Sequence, residues 1–213
     1  QTLKAAKGIK TETVYSQPTD SLLKIMMHRS DNFYADQSLL MISQMLLNRM
    51  DEAAIIQELI KKDLSQLPVK PRWTDGSGLS RYNQFSATDM IQVLNQLKAE
   101  QSWENIKAIF PQAGVGTLGA MDRKEGEFIY AKTGSMSGIY CLSGYVLSKK
   151  GKWLSFSIMV NNHNSSSGTI RKKIEAFLES YNKNKAFAYI FSSNPDLMYY
   201  KDTAYDITED IVK

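Results

Sequence analysis

The chain has 213 residues, of which 43% are apolar and 23% charged, an ordinary globular composition that argues for a buried core and against wholesale disorder. Lys and Arg number 26 against 22 Asp and Glu, a formal charge of +4, and this small excess is spread along the chain rather than clustered as nucleic-acid binding requires. The single cysteine, Cys141, excludes an intrachain disulfide, and with only His28 and His163 beside it a structural zinc site is not expected.

The first twenty residues are short and mixed, with Thr11, Thr13 and Val14 suggesting a strand that Pro18 ends. Thr19 or Asp20 is expected to cap a helix through Ser21, Leu22, Leu23, Ile25, Met26 and Met27. The pattern breaks at His28-Arg29-Ser30-Asp31-Asn32, because short polar side chains compete with the helical backbone and favour turns and caps. A longer helix follows, with Leu39, Ile42, Leu46 and Leu47 at near-helical spacing. Another spans Asp51 to Asp63, turning Ala54, Ile55, Leu59 and Ile60 inward.

Pro68 to Ser80 is dense in loop formers. Ser86-Ala87-Thr88-Asp89 has the spacing of a capping box with Asp in place of Glu, and leads a helix through Ile91, Leu94 and Leu97. Trp103 to Phe110 is a short helix ended by Pro111, and Gly114, Gly116 and Gly119 mark an irregular connection.

From Glu127 the apolar period changes from near 3.6 to 2. Glu127–Ser135, Ile139–Leu147 and Trp153–Val160 are three predicted strands, the last two joined by a hairpin across Lys149-Lys150-Gly151-Lys152. In the third, Leu154, Phe156, Ile158 and Val160 form one greasy face. A closing helix, Gly168 to Tyr181, places Ile170, Ile174, Phe177 and Leu178 together. The expected fold class is α+β, with helices packed on an antiparallel sheet. The ten methionines are expected as core filler. Residues 182–213 form a tail in which Ala186 to Phe191 could add a strand, while Asp196 to Lys213 is acidic, Tyr-rich and without a clear period; its role is not legible.

Two triplets carry chemistry. Lys132-Thr133-Gly134 ends a predicted strand, so that Lys132 brings an ammonium and Thr133 a hydroxyl to a sheet edge, while Gly134 admits another backbone. Such groups can hold the carboxylate terminus of an extended peptide that pairs along the edge. Ser30-Asp31-Asn32 lies between two helices, where Ser30 can relay a proton and Asn32 can donate to a carbonyl and accept from a lysine. Helix capping is the simpler explanation for either residue type there. Taken in order, the triplets resemble the second and third motifs of penicillin-binding proteins and class A β-lactamases, whose first is Ser-x-x-Lys.

The flanking residues narrow this. Ser30-Asp31-Asn32-Phe33-Tyr34-Ala35-Asp36, Asp75-Gly76-Ser77-Gly78-Leu79-Ser80-Arg81-Tyr82-Asn83, Gly116-Thr117-Leu118, Ala131-Lys132-Thr133-Gly134-Ser135 and Leu142-Ser143-Gly144-Tyr145-Val146 resemble the D-Ala-D-Ala carboxypeptidase/endopeptidase family of the penicillin-binding protein 4 type, peptidase family S13. The resemblance spans about residues 1–181, the expected C-terminal part of a penicillin-binding domain, and leaves 182–213 uncovered. It implies a serine acyl-transfer hydrolase outside the cytoplasm, acting on peptidoglycan stem peptides and acylated by β-lactams, with no metal or organic cofactor. By the same resemblance, Ser30 assists proton transfer, Asn32 holds the substrate amide and orients the activating lysine, Lys132 supplies positive potential near Ser30 and the substrate carboxylate, Thr133 binds that carboxylate and the Ser135 N–H forms half of an oxyanion hole beside Gly134. Asp75 and Arg81 are expected to buttress the cleft, and His28 and His163 to have structural or surface roles.

The nucleophile motif is the exception. Ser21-Leu22-Leu23-Lys24 and Ser180-Tyr181-Asn182-Lys183 both match Ser-x-x-Lys, but the second is out of order. The first lies nine residues before Ser30, about 13 Å away along a continuous helix, whereas a nucleophile and its relay need hydrogen-bonding reach. Both are read as coincidental. The nucleophile is expected in an N-terminal portion outside this chain, and an N-terminal half or a second copy is expected to complete the sheet.

Overall fold

In the computed structural model, residues 12, 14–121, 128–148 and 151–184 are described. Among these residues, six α-helices, one 3₁₀ turn and three strands follow in order: α1 (Thr19–Arg29), α2 (Asn32–Leu47), α3 (Glu52–Lys61), α4 (Ala87–Glu100), α5 (Trp103–Ile109), the turn Gly116–Leu118, β1 (Ile129–Met136), β2 (Ile139–Leu147), β3 (Trp153–Asn161) and α6 (Ser167–Asn184). The strands form an antiparallel meander, β1-β2-β3. This is the α+β arrangement expected from the change of apolar period. Among the described residues no helix is long and apolar enough to cross a membrane.

The helix starts follow local hydrogen-bonding chemistry. Asp31, Asp51 and Ser102 accept from the backbone N–H three residues on, capping α2, α3 and α5. The capping box on α4 is complete in both directions between Ser86 and Asp89. The expected cap on α1 is not formed: Thr19 and Asp20 lie inside the helix, and Pro18 precedes it without a side-chain cap. Proline fits that place, since its φ is already suited to a helix entry. Of the expected N-terminal strand, Val14 is irregular and exposed, and Thr11 and Thr13 lie outside the described residues, as do Glu127 and the possible strand 186–191.

The sheet is covered on both faces. One face carries Leu142, Phe156 and Ile158 against Ile174 and Leu178 of α6. The other carries Tyr130 and Tyr145 against Leu94, Ile106 and Phe110. The greasy face of β3 lies inward as read from the sequence, and its other face is covered as well, with Ser155 and Ser157 buried too. Their hydroxyls are satisfied: Ser157 pairs with Ser143 at 2.8 Å and Ser155 donates to Asn95 at 2.7 Å. Short hydroxyl side chains let α4 lie close over the strands while leaving no polar atom unpaired. Gly144 serves the same closeness within the sheet, since a Cβ there would run into the Tyr130 carbonyl and Ala131.

A separate apolar cluster joins Leu39 of α2 to Ile55, Ile56 and Ile60 of α3. Ile56 joins it in addition to the expected Ile55 and Ile60, and Leu59 is half-buried. Leu46, expected inward, is 59% exposed, and Met41, Met45 and Met50 are exposed as well. The methionines are therefore only partly core. What fills the inward position on α2 is Ser43, whose hydroxyl bonds the Arg49 and Asp51 carbonyls and the Asp51 N–H, fastening the turn from α2 to α3.

Candidate active site

The site begins at the joint between α1 and α2. Ser30 ends α1 in the left-handed conformation, φ 55° and ψ 51°, which residues with a Cβ adopt at some cost. The Asp31 N–H reaches back to the Met26 carbonyl at 3.0 Å, the six-to-one closure of a helix C-terminus. Asp31 then turns its carboxylate to the Tyr34 N–H at 3.0 Å and starts α2. One Ser-Asp pair thus stops one helix and starts the next, and this places the Ser30 hydroxyl at the surface of the joint with Asn32 opening α2.

The joint is held from behind. Gly116 has φ +55°, and a Cβ there would lie 2.7 Å from the His28 carbonyl, so the loop seats directly on the last turn of α1. Burial, and then the nearby charge of Lys24, lower the pKa of His28, with a hydrogen bond to the Phe110 backbone opposing them. This agrees with the expected structural role. Farther along α2, Ala35 and Asp36 abut Gly76, where a Cβ would meet the Ala35 carbonyl at 3.1 Å and Asp36 Oδ1 at 3.2 Å.

Asp75 organises that neighbouring loop. Its carboxylate accepts from the Gly78 N–H at 2.6 Å, the Ser80 N–H at 2.8 Å, Ser77 Oγ at 3.1 Å and Asn83 Nδ2 at 3.3 Å. Burial on its own would raise the Asp75 pKa, but these bonds, led by the one from Asn83, outweigh it and hold the carboxyl below its ordinary value. Ser77 is thereby occupied in a turn. The base of the loop is tied by Arg72 and Gln84, which exchange backbone hydrogen bonds of 2.9 and 2.7 Å. Arg81 is exposed and gives no support to the buttressing role expected of it.

The second half of the site comes from β1. Thr133 pairs with Leu142, Gly134 with Cys141 and Ser135 with Tyr140. On the outer side of β1 the Pro111 carbonyl accepts from the Ala131 N–H at 3.0 Å, and beyond that point no strand pairs with the outer edge among the described residues. Gly134 and Ser135 are exposed there. A Cβ on Gly134 would meet only the Cys141 Cβ, at an ordinary 3.8 Å, so this chain's own packing does not demand glycine at that place.

Lys132 joins the halves. Its ammonium donates to Ser30 Oγ at 3.0 Å and to the Thr133 carbonyl at 2.6 Å, the first contact linking residues 102 apart in sequence. Burial lowers its pKa to about 8, because a desolvated ammonium without a countercharge is disfavoured. Since Lys132 donates into the Ser30 oxygen, the hydroxyl hydrogen of Ser30 is free to be offered elsewhere, as a proton relay requires. The structure therefore brings Ser30, Asn32, Lys132, Thr133, Gly134 and Ser135 to one region.

Ser21 is not brought there. It sits in the exposed first turn of α1, at the other end of the helix from Ser30. Ser180 lies near the end of α6, and its side chain is outside the described residues.

Residues 4–181 match the D-Ala-D-Ala carboxypeptidase 3 (S13) family. The chain belongs to that family. Among curated S13-type relatives, it is 30% identical over 166 residues to the D-alanyl-D-alanine carboxypeptidase DacB of Haemophilus influenzae, covering 74% of this chain and 34% of the relative. The chain thus spans about a third of that relative's length. The crystal structure of penicillin-binding protein 4 from Haemophilus influenzae, in complex with a β-lactam, superposes with a TM-score of 0.68 at 24% identity, over 81% of this chain and 42% of that one. An extended-spectrum β-lactamase shares the fold at a TM-score of 0.54 and 16% identity, over 77% and 63% of the two chains. The fold is that of the penicillin-binding and β-lactamase-like proteins, and the S13 resemblance read from the motifs is correct.

Proposed function

We propose that this chain supplies one wall of the active site of a serine-type D-Ala-D-Ala carboxypeptidase that acts on peptidoglycan stem peptides outside the cytoplasm. The observation that carries the proposal is the 3.0 Å hydrogen bond from Lys132 Nζ to Ser30 Oγ, which joins the two triplets across the fold. In the complete enzyme a serine, activated by the lysine one helical turn after it, attacks the carbonyl of the penultimate D-Ala and expels the terminal D-Ala. An acyl-enzyme forms, and water then hydrolyses it. The same attack opens a β-lactam ring and leaves the enzyme acylated. D-Ala-diaminopimelate crosslinks present the same bond type, which would make the enzyme an endopeptidase as well.

Each residue of this wall has a role. Ser30 passes a proton toward the departing amine, and Lys132 favours that transfer while attracting the substrate carboxylate. Thr133 binds the carboxylate, and Asn32 holds the substrate amide and orients the activating lysine. The Ser135 N–H points at the developing oxyanion, with the nucleophile's own N–H as the second donor. Gly134 leaves room for the substrate backbone along the β1 edge. Ser21, at the far end of α1, does not reach this cluster, and in this reading the nucleophile comes from an N-terminal portion of the enzyme. That portion or a second copy would complete the sheet.

Labelling with a fluorescent penicillin tests the reading. Residues 1–213 should remain unlabelled, whereas a longer product carrying an upstream Ser-x-x-Lys segment should label and release D-Ala. Lys132→Ala in that longer product should abolish both signals. Retention of both would refute the assignment of Lys132, and labelling of residues 1–213 at Ser21 would show that the nucleophile is in this chain. A longer product that binds muropeptide but never labels would make the protein a binding module.

A further inference from the structure

A second cleft, of about 440 Å³, opens where the start of α5 meets the hairpin between β2 and β3, and is lined by Lys98, Gln101, Trp103, Lys152 and Trp153. It is separate from the candidate active site. Lys132 pairs with Ser143, which pairs with Ser157, and Trp153 lies four residues farther along β3, roughly 13 Å at strand rise.

The floor is aromatic and stiff. The Trp103 and Trp153 rings are 4.6 Å apart between centroids and tilted by 47°. Trp103 stands edge-on to Tyr130 and Tyr145 behind it, and Tyr145 is fully buried with its hydroxyl donating to the Leu94 carbonyl at 2.7 Å. Both tryptophans remain only half-buried, which leaves indole surface facing the opening. The rim is cationic. Lys98 Nζ is drawn across the cleft to the Trp153 carbonyl at 3.1 Å, Lys152 is exposed, and no carboxylate among the described residues pairs with either ammonium. The nearby Glu100 is turned to the Gln96 amide at 2.9 Å, and Gln101 adds an amide to the rim.

Fixed indole surface takes the flat C–H face of a ring, amides take its hydroxyls or acetamido groups, and unpaired ammonium groups take an anion. We infer that this cleft binds a saccharide bearing a free carboxylate, as in those lactyl-substituted amino sugars of the wall polymer's glycan strand that carry no stem peptide. The saccharide class rests on reading the enzyme as one that acts on peptidoglycan, and it gives that enzyme a grip on the glycan apart from its grip on the peptide. The polymer is then held at two places, so that the second attachment becomes effectively intramolecular.

The test is titration of the protein with peptide-free N-acetylmuramic-acid-containing oligosaccharide, read by intrinsic fluorescence. The chain has three tryptophans, and two of them line this cleft. A saturable change is expected, with affinity falling about tenfold in Lys152→Glu and in Lys98→Ala, a loss near 1.4 kcal/mol. Lys132→Ala should leave it unchanged. The inference is overturned if the wild type gives no saturable response. It is equally overturned if a neutral N-acetylglucosamine oligomer binds as tightly, or if both cleft variants bind like the wild type. Because the probe carries no peptide, failure here leaves the penicillin-labelling result standing, and failure of labelling leaves this result standing.

Discussion

Lys132 carries a charge that its surroundings oppose. Its pKa falls from 10.5 to about 8 through desolvation, so between those values the unfolded chain holds a proton that the folded chain has released. Stability therefore rises with pH across that window, and below it the buried ammonium costs folding free energy. Replacing it by an apolar side chain of similar length removes the cost. Lys132→Met should raise the melting temperature at pH 7, and calorimetry should show the advantage shrinking as pH rises through 8 toward 10.5. A drop in melting temperature at pH 7 would mean that the bonds to Ser30 and Thr133 outweigh the desolvation. A group kept at the expense of stability belongs with function more readily than with packing.

At the scale of elements, α4 shows how local rules place distant parts. Asp89 is fully buried and accepts from the Ser86 N–H, the Ser86 hydroxyl and the Val69 N–H, at 3.0, 2.7 and 3.0 Å. It thus closes the capping box and also ties the end of the Pro68–Ser80 loop to the helix. Asp89→Ala should cost about 2–4 kcal/mol through the lost cap and the stranded donors, or roughly 5–10 °C in melting temperature. A fall under 2 °C would show that the box contributes little.

The box itself was legible because its partners are three residues apart. The bond to Val69 was not, because its partners are twenty apart. The same division runs through the chain. The three strands, the hairpin and α6 followed from apolar period, and the order of the two triplets pointed to the family. The burial of Ser155 and Ser157 did not follow from sequence, since serine at alternate positions reads as a solvent face until a helix is seen lying on it. Nor could residue types place the cap of α1, or show Ser43 taking an inward position on α2. The meeting of Lys132 with Ser30 required two elements to be placed together, and only the resemblance anticipated it.

For the whole molecule, the decisive contrast is between the covered sheet and the apolar side chains left bare on α2 and in the turn after it. Both sheet faces are packed, while Phe33, Met41, Met45, Leu46 and Met50 are 59% or more exposed. Met41 and Met45 are one turn apart, and such a grouping favours association. Leu46→Lys together with Met45→Lys should reduce self-association of residues 1–213 in sedimentation velocity, with the melting temperature changing by no more than about 2 °C, since exposed positions shift stability by only about 0.5 kcal/mol. A large destabilisation would mean that these side chains already have partners within the fold.

The left-handed turn at Ser30 has a consequence for how such a protein changes over generations. Glycine occupies φ 55° with less strain than serine does, so the backbone and the proposed proton relay make opposite demands on one position. Random change at that codon can make the fold easier to form while disarming the relay. Under selection for solubility or expression alone, the joint between α1 and α2 would drift toward glycine. Serine would persist there only while the proposed relay was under selection, which makes this codon a record of whether that relay is still in use.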